Sequence, residues 1–204
     1  MFELIKQGGW MMAPIITASI VAMAIIGERF WSLQRQKIIP SQLLAHIWHL
    51  YRENKLDEPT IRRIKTSSSL GRVLAVGLQN RKHGREVMKD CIEETGRQVA
   101  HELERYLTTL GSIASITPLL GLLGTVDGII RVFSDIAVGG MGDPAVLSKG
   151  ISEALICTAS GLIVAIPSLF FHRYFEGLVD DYVMQMEENS LRLIDLMQGD
   201  RESL

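Results

Sequence analysis

The sequence predicts an all-α, polytopic membrane protein: three transmembrane helices with long cytoplasmic helical extensions. Three observations carry that reading. Residues 10–27 and 154–171 are uncharged runs of 18 residues each, and residues 106–126 form one of 21. At about 1.5 Å per residue each makes a helix of roughly 27 to 32 Å, enough to cross hydrocarbon. The apolar residues of the intervening segments recur three and four apart without an alternating pattern, so helices and not strands are expected throughout.

Taken in order, residues 1–31 hold the N-terminus and the first span. Ala22-Met23-Ala24 has the small-x-small form of a leader cleavage site. However, the segment ahead of the run carries only Lys6, balanced by Glu3, and apolar residues continue to Gly27, so a retained span is expected. Trp10 and Trp31 stand at interface positions, and Pro14 falls in the tolerant first turns. Residues 32–105 form a cytoplasmic helical domain. Ser41 after Pro40 is expected to cap a helix to about Asn54, Asp57-Glu58-Pro59 to open a second, and the serines at 67–69 to cap a third before Gly84. Met88, Ile92, Thr95, Val99, Leu103, Tyr106 and Leu110 then make one stripe, with no proline, into the second span at 106–137. A short link, 138–148, leads to the third span at 149–175. The stripe of Leu178, Tyr182, Met186, Leu193 and Met197 continues it as a C-terminal helix through 176–204.

Lys and Arg counts orient the chain. Residues 28–105 hold 15 of the 21 basic side chains, residues 1–9 hold one, and residues 138–148 of the link hold none of those ahead of Lys149. The insert and the C-terminus are therefore expected in the cytoplasm and the N-terminus outside. Net charge is −2 but says little about partners, since the basic excess is local; no nucleic-acid partner is expected of a membrane-spanning chain. Cys91 lies in the insert and Cys157 in the third span, so the two are read as unpaired thiols.

The second and third spans carry small residues four apart. Gly121, Gly124 and Gly128 on one helix, and Cys157 and Gly161 on the other, are read as helix-packing positions, which let backbones approach closely in lipid. The first span has more bulky aliphatics and is the one expected to face lipid. Polar residues shift the reading beyond packing: Thr117, Thr125, Asp127 and Arg131 on the second span, and Glu153, Thr158 and Ser160 on the third. An ionisable group in a span ordinarily faces a bundle interior or a water-filled path. Glu153 at the edge of an uncharged run is thus a candidate for ion transfer, or a first-turn acid paired with Lys149. Asp127 and Arg131, at i and i+4, are either a pore-mouth ion pair or simply a self-paired couple.

Enzyme signatures are weak. Gly140-Met141-Gly142-Asp143 matches a GxGD string outside the spans, and Thr158-Ala159-Ser160-Gly161 lacks the first glycine of a GxSG nucleophile motif. No metal cluster, phosphate loop or cofactor motif is present, so neither catalysis nor a cofactor is expected.

GSIASITPLLGLLGTVDGII at 111–130 and GISEALICTASGLIVAIPSLFFHRYF at 150–175 resemble the two signature segments of the MotA/TolQ/ExbB proton-channel proteins. GGWMMAPIITASIVAMAIIGERFW at 8–31 resembles the first span of the ExbB and TolQ branch. The resemblance implies a homopentamer in a bacterial inner membrane whose second and third helices line a pore. It also implies a single-span ExbD-like or TolR-like partner and a TonB-like or TolA-like energy transducer driven by the proton motive force. By motif position, Thr125, Glu153 and Thr158 match the family's polar pore residues. Asp127 stands where the family carries an uncharged or aromatic residue, and Cys157 where a small alanine is usual.

Overall fold

Side chains that fill the open backbone positions at helix ends set several of the boundaries. The computed structural model describes residues 9–81, 83–139 and 144–197. The N-terminal charges Glu3 and Lys6, the Gly140 to Asp143 string and Arg201 lie outside these. The described chain contains helices and turns, with no strand among the described residues. The helices are α1 (Met12–Ser32), α2 (Arg35–Ile38), α3 (Leu43–Arg52), α4 (Glu58–Ser67), α5 (Ser69–Gln79), α6 (Arg85–Leu103), α7 (Leu107–Gly139) and α8 (Pro144–Met197). Those long and apolar enough to cross a membrane lie on α1, α7 and α8.

Asp57 caps α4 by accepting from the Thr60 backbone N–H at 3.2 Å, with Pro59 in the first turn, where its missing N–H costs nothing. Hydrogen bonding from Thr60 holds the Asp57 carboxyl below its ordinary value, against an opposing pull from desolvation. Ser68 caps α5 in the same way, accepting from the Gly71 N–H at 2.9 Å. The expected Ser41 cap is not formed. The helix begins at Leu43 behind Gln42, without a side-chain cap.

The stripe predicted to run unbroken from α6 into the second span is two helices. Leu103 ends α6, residues 104–106 turn, and Tyr106 takes the left-handed region at φ +64° before its carbonyl accepts from the Leu110 N–H. Leu103 at the end of α6 is buried, and at the start of α7 Leu107 and Leu110 are buried while Tyr106 is 41% exposed. A helix end leaves carbonyls without partners. One of them, at Leu103, accepts a 3.0 Å bond from the guanidinium of Arg29, itself only 3% exposed.

The chain divides into two units, Met1–Glu28 with Tyr106–Tyr174, and Arg29–Arg105 with Phe175–Leu204. In the second unit, Phe175, Val179, Tyr182, Met186, Leu193 and Ile194 form the buried stripe of α8, matched by Leu70, Val73, Leu74 and Leu78 of α5 and by Met88 and Val99 of α6. The Tyr182 hydroxyl donates to the Leu33 carbonyl at 2.9 Å, and Arg85 pairs with Asp195 at 3.0 Å. In the first unit, Met11, Ile15 and Cys157 form a buried cluster flanked by Leu120 and Val164. Here the outer faces of the helices are apolar: Leu119, Leu122, Ile129 and Phe133 of α7, and Leu155, Ile163, Ile166 and Phe170 of α8, are all exposed. A patch of that extent suits lipid or other chains rather than water. The most apolar window of each spanning segment is 28% buried, so α1 is no more outward-facing than the other two.

Candidate functional site

Glycine fixes how near α7 and α8 come. A Cβ on Gly121 would lie 3.0 Å from the Thr158 Cα, and one on Gly161 would lie 2.7 Å from the Thr117 carbonyl oxygen. On Gly128 it would meet the Ala154 Cβ at 3.1 Å, and on Gly124 it would overlap the Cys157 sulfur. All five sequence-predicted packing residues therefore sit on one seam. The pairings of 121 with 158, 124 with 157 and 128 with 154 set an antiparallel register. Near the C-terminal end of the third span, a Cβ on Gly111 would meet the His172 ring at 2.9 Å, and Nδ1 of that ring is buried without a hydrogen bond.

This register puts Asp127, beside Gly128, and Glu153, beside Ala154, at one level of the helix pair. Asp127 binds Arg131 at 2.7 Å, so the charge couple read from i and i+4 spacing is formed. The Trp10 indole N–H donates to the same Asp127 oxygen at 3.1 Å. Glu153 is half-buried and lies against Gly9; it makes no ion pair with Lys149 among the described residues. Gly9 and Trp10 precede α1 and offer their carbonyls to the N–H groups of Met12 and Ala13, both at 3.2 Å. Three elements thus converge on two acids and one arginine. The sequence reading missed Gly9 and Trp10 as part of this group; it read Trp10 only as an interface aromatic.

The two threonines are not side by side. The Thr158 hydroxyl crosses the seam to donate to the Gly121 carbonyl at 3.0 Å, while Thr125 returns its hydroxyl to the Leu122 carbonyl at 2.6 Å on its own helix. Within one chain both hydroxyls are therefore satisfied by backbone. Thr125 is half-exposed on α7, and Glu153 with Asp127 forms the chemically distinctive part of the site.

A separate cleft of about 500 Å³ lies in the second unit between α6 and α8, lined by Ile92, Gly96, Arg97, Met186, Ser190 and Ile194, among others. It is mainly apolar and contains none of the residues just described. Among the described residues, no group of three or more His, Cys, Asp or Glu stands close enough to hold a metal ion.

Residues 65–188, which include both acids and the whole glycine seam, match the MotA/TolQ/ExbB proton channel family. An ExbB-like biopolymer transport protein of Synechocystis sp. is 33% identical over 175 residues, covering 84% of this chain and 69% of its own. The biopolymer transport protein exbB1 of Vibrio cholerae is 27% identical over 198 residues, 95% of this chain and 86% of its own. The Tol-Pal system protein TolQ of Haemophilus influenzae is 29% identical over 172 residues, 76% of this chain and 73% of its own. With three helices fit to cross a membrane and the matched segment running through both polar spans, the chain belongs to the MotA/TolQ/ExbB proton channel family.

Proposed function

We propose that this chain is an ExbB-like motor subunit of the bacterial inner membrane, passing protons along a path that includes Glu153. The observation that carries the reading is the placement of Glu153. It is a half-buried acid in an apolar span, set where the start of α1 meets the α7 and α8 pair and level with the Asp127–Arg131 couple. A carboxylate is retained in such surroundings at a cost, and a transferable proton is the chemistry it offers there. The basic insert supports an orientation with the N-terminus in the periplasm and the C-terminus in the cytoplasm.

In this reading five copies surround an ExbD-like single-span partner. The apolar faces of α7 and α8 supply the surfaces for neighbouring copies, the partner and lipid. Thr125, Glu153 and Thr158 line the path, and Asp127 with Arg131 holds the charges at its mouth. Proton passage drives motion of the partner that a TonB-like protein carries to outer-membrane transport. The chain itself performs no covalent catalysis. The TolQ relative supports a second reading, in which the same machine works with TolR-like and TolA-like partners in envelope maintenance.

Native mass spectrometry of the gently solubilised complex tests the assembly. Five copies with a small single-span protein bearing a membrane aspartate are expected, and the partner's identity selects the branch. A monomer without such a partner would contradict the reading.

A further inference from the structure

Two residues ahead of the first helix touch the two acids, and the backbone shows why they are these residues. Gly9 has φ +70°, a conformation that glycine adopts freely and other residues avoid. A Cβ there would overlap Oε1 of Glu153, and the next nearest atoms are Cδ and Cγ of the same side chain, at 3.4 and 3.8 Å. The atoms nearest to where a side chain at position 9 would begin are therefore those of the Glu153 side chain, its carboxylate first. Trp10, next in the chain, holds Asp127 by its indole, and Arg131 holds the same oxygen from the other side. Asp127 and Arg131 are thus engaged with each other, and among the described residues no side chain bonds Glu153, which lies against the Gly9 backbone. The carbonyls of Gly9 and Trp10 are bonded into the first turn of α1, so the segment's position is tied to that helix. Among the described residues, the charged and titratable groups that the helices carry near this level are Asp127 and Arg131 of α7 and Lys149 and Cys157 of α8; Gly9, Trp10 and Met11 bring none.

We propose that Gly9 is a positioning residue for Glu153, and that the segment opening the first helix forms one wall of the acid site. The functional consequence rests on the reading of Glu153 as a path residue; the positioning itself does not. In that arrangement the first span is a component of the site and not only a membrane anchor.

The test uses the full chain, expressed with its natural partner, in its own membranes. Dicyclohexylcarbodiimide, which attacks protonated carboxyl groups in apolar surroundings, is reacted with the membranes, and the Glu153 adduct is followed over time by peptide mass spectrometry. Gly9→Ala is expected to change the labelling rate of Glu153 several-fold and to lower ion-driven flux by a similar factor. Gly27→Ala, where a Cβ would meet nothing within 4 Å, is expected to leave both unchanged. Adding Gly9→Ala to Glu153→Asp, whose carboxylate is one methylene shorter, is expected to cost much less than adding it to the native chain. Native labelling kinetics in Gly9→Ala, or strict additivity in the double variant, would overturn the proposal. If Gly9→Ala does not accumulate, adding Glu153→Ala should recover part of the loss, since it removes the overlap but not the cost of a φ of +70°, and no recovery at all would equally overturn it. Absence of flux in the native complex would instead sink the proposed function and leave the labelling to decide on Gly9.

Discussion

Replacing Gly161 with alanine adds one methyl group at the tightest backbone crossing of α7 and α8. Its Cβ would lie 2.7 Å from the Thr117 carbonyl oxygen, 3.2 Å from the Gly121 Cα and 3.4 Å from the Gly121 nitrogen. All three are backbone atoms, so no side chain can swing aside. Restoring ordinary contact requires the helices to part by about 0.7 Å at that point. The bond from the Thr158 hydroxyl to the Gly121 carbonyl, now 3.0 Å, would then stretch beyond hydrogen-bonding range. Overpacking of this kind costs roughly 1 to 3 kcal/mol, and an interhelical bond in lipid adds about 0.6 kcal/mol. The expected loss is therefore about 1.6 to 3.6 kcal/mol, set against a helix-propensity gain of up to about 1 kcal/mol. Gly177→Ala is the matched control, since it sits on the same helix and meets nothing within 4 Å. Reversible unfolding in mixed detergent micelles, followed by circular dichroism, reads the difference. A clear fall for Gly161→Ala with none for Gly177→Ala is predicted, and equal midpoints for the two would refute the packing argument.

Further predictions concern the second unit. Because hydrogen bonding lowers the folded-state value of Asp57, its cap contributes fully above the ordinary carboxylate value of 3.8 and is lost as pH falls below it. The protection of the Thr60 amide from exchange, relative to its intrinsic rate at each pH, should therefore fall at low pH in the native chain but not in Asp57→Asn, and an identical acid response in both would exclude the cap as its source. Arg29→Lys keeps the charge but not the planar fork that reaches Leu103, and should destabilise by roughly 1 to 3 kcal/mol in a denaturant titration. A change below about 0.5 kcal/mol, the usual size for a surface substitution, would show that the Leu103 carbonyl needs no such partner.

What the sequence made legible was what is local in the chain. Asp57 and Ser68 act on amides three residues away, and Asp127 reaches Arg131 one turn along its helix, so spacing alone exposed them. The small-residue rows likewise exposed a seam, because only small side chains allow backbones so close. The break at 104–106 was not legible. No glycine or proline marks it, and one of the carbonyls it leaves open is filled by Arg29, 74 residues earlier in the chain. The contacts of Trp10 with Asp127 and of Gly9 with Glu153 were hidden for the same reason. They span 117 residues and more, and depend on where α1 lands against α7 and α8. Thr158 read as a polar residue, but that its hydroxyl serves the opposite helix required the register across the seam.

Proton flux in proteoliposomes containing the native complex, compared with Glu153→Gln, tests the central claim most directly. Glutamine keeps the size and polarity of the side chain but cannot exchange a proton. The account predicts measurable flux in the native complex and its loss in the variant, with the same assembly seen by native mass spectrometry. Undiminished flux in Glu153→Gln would contradict it.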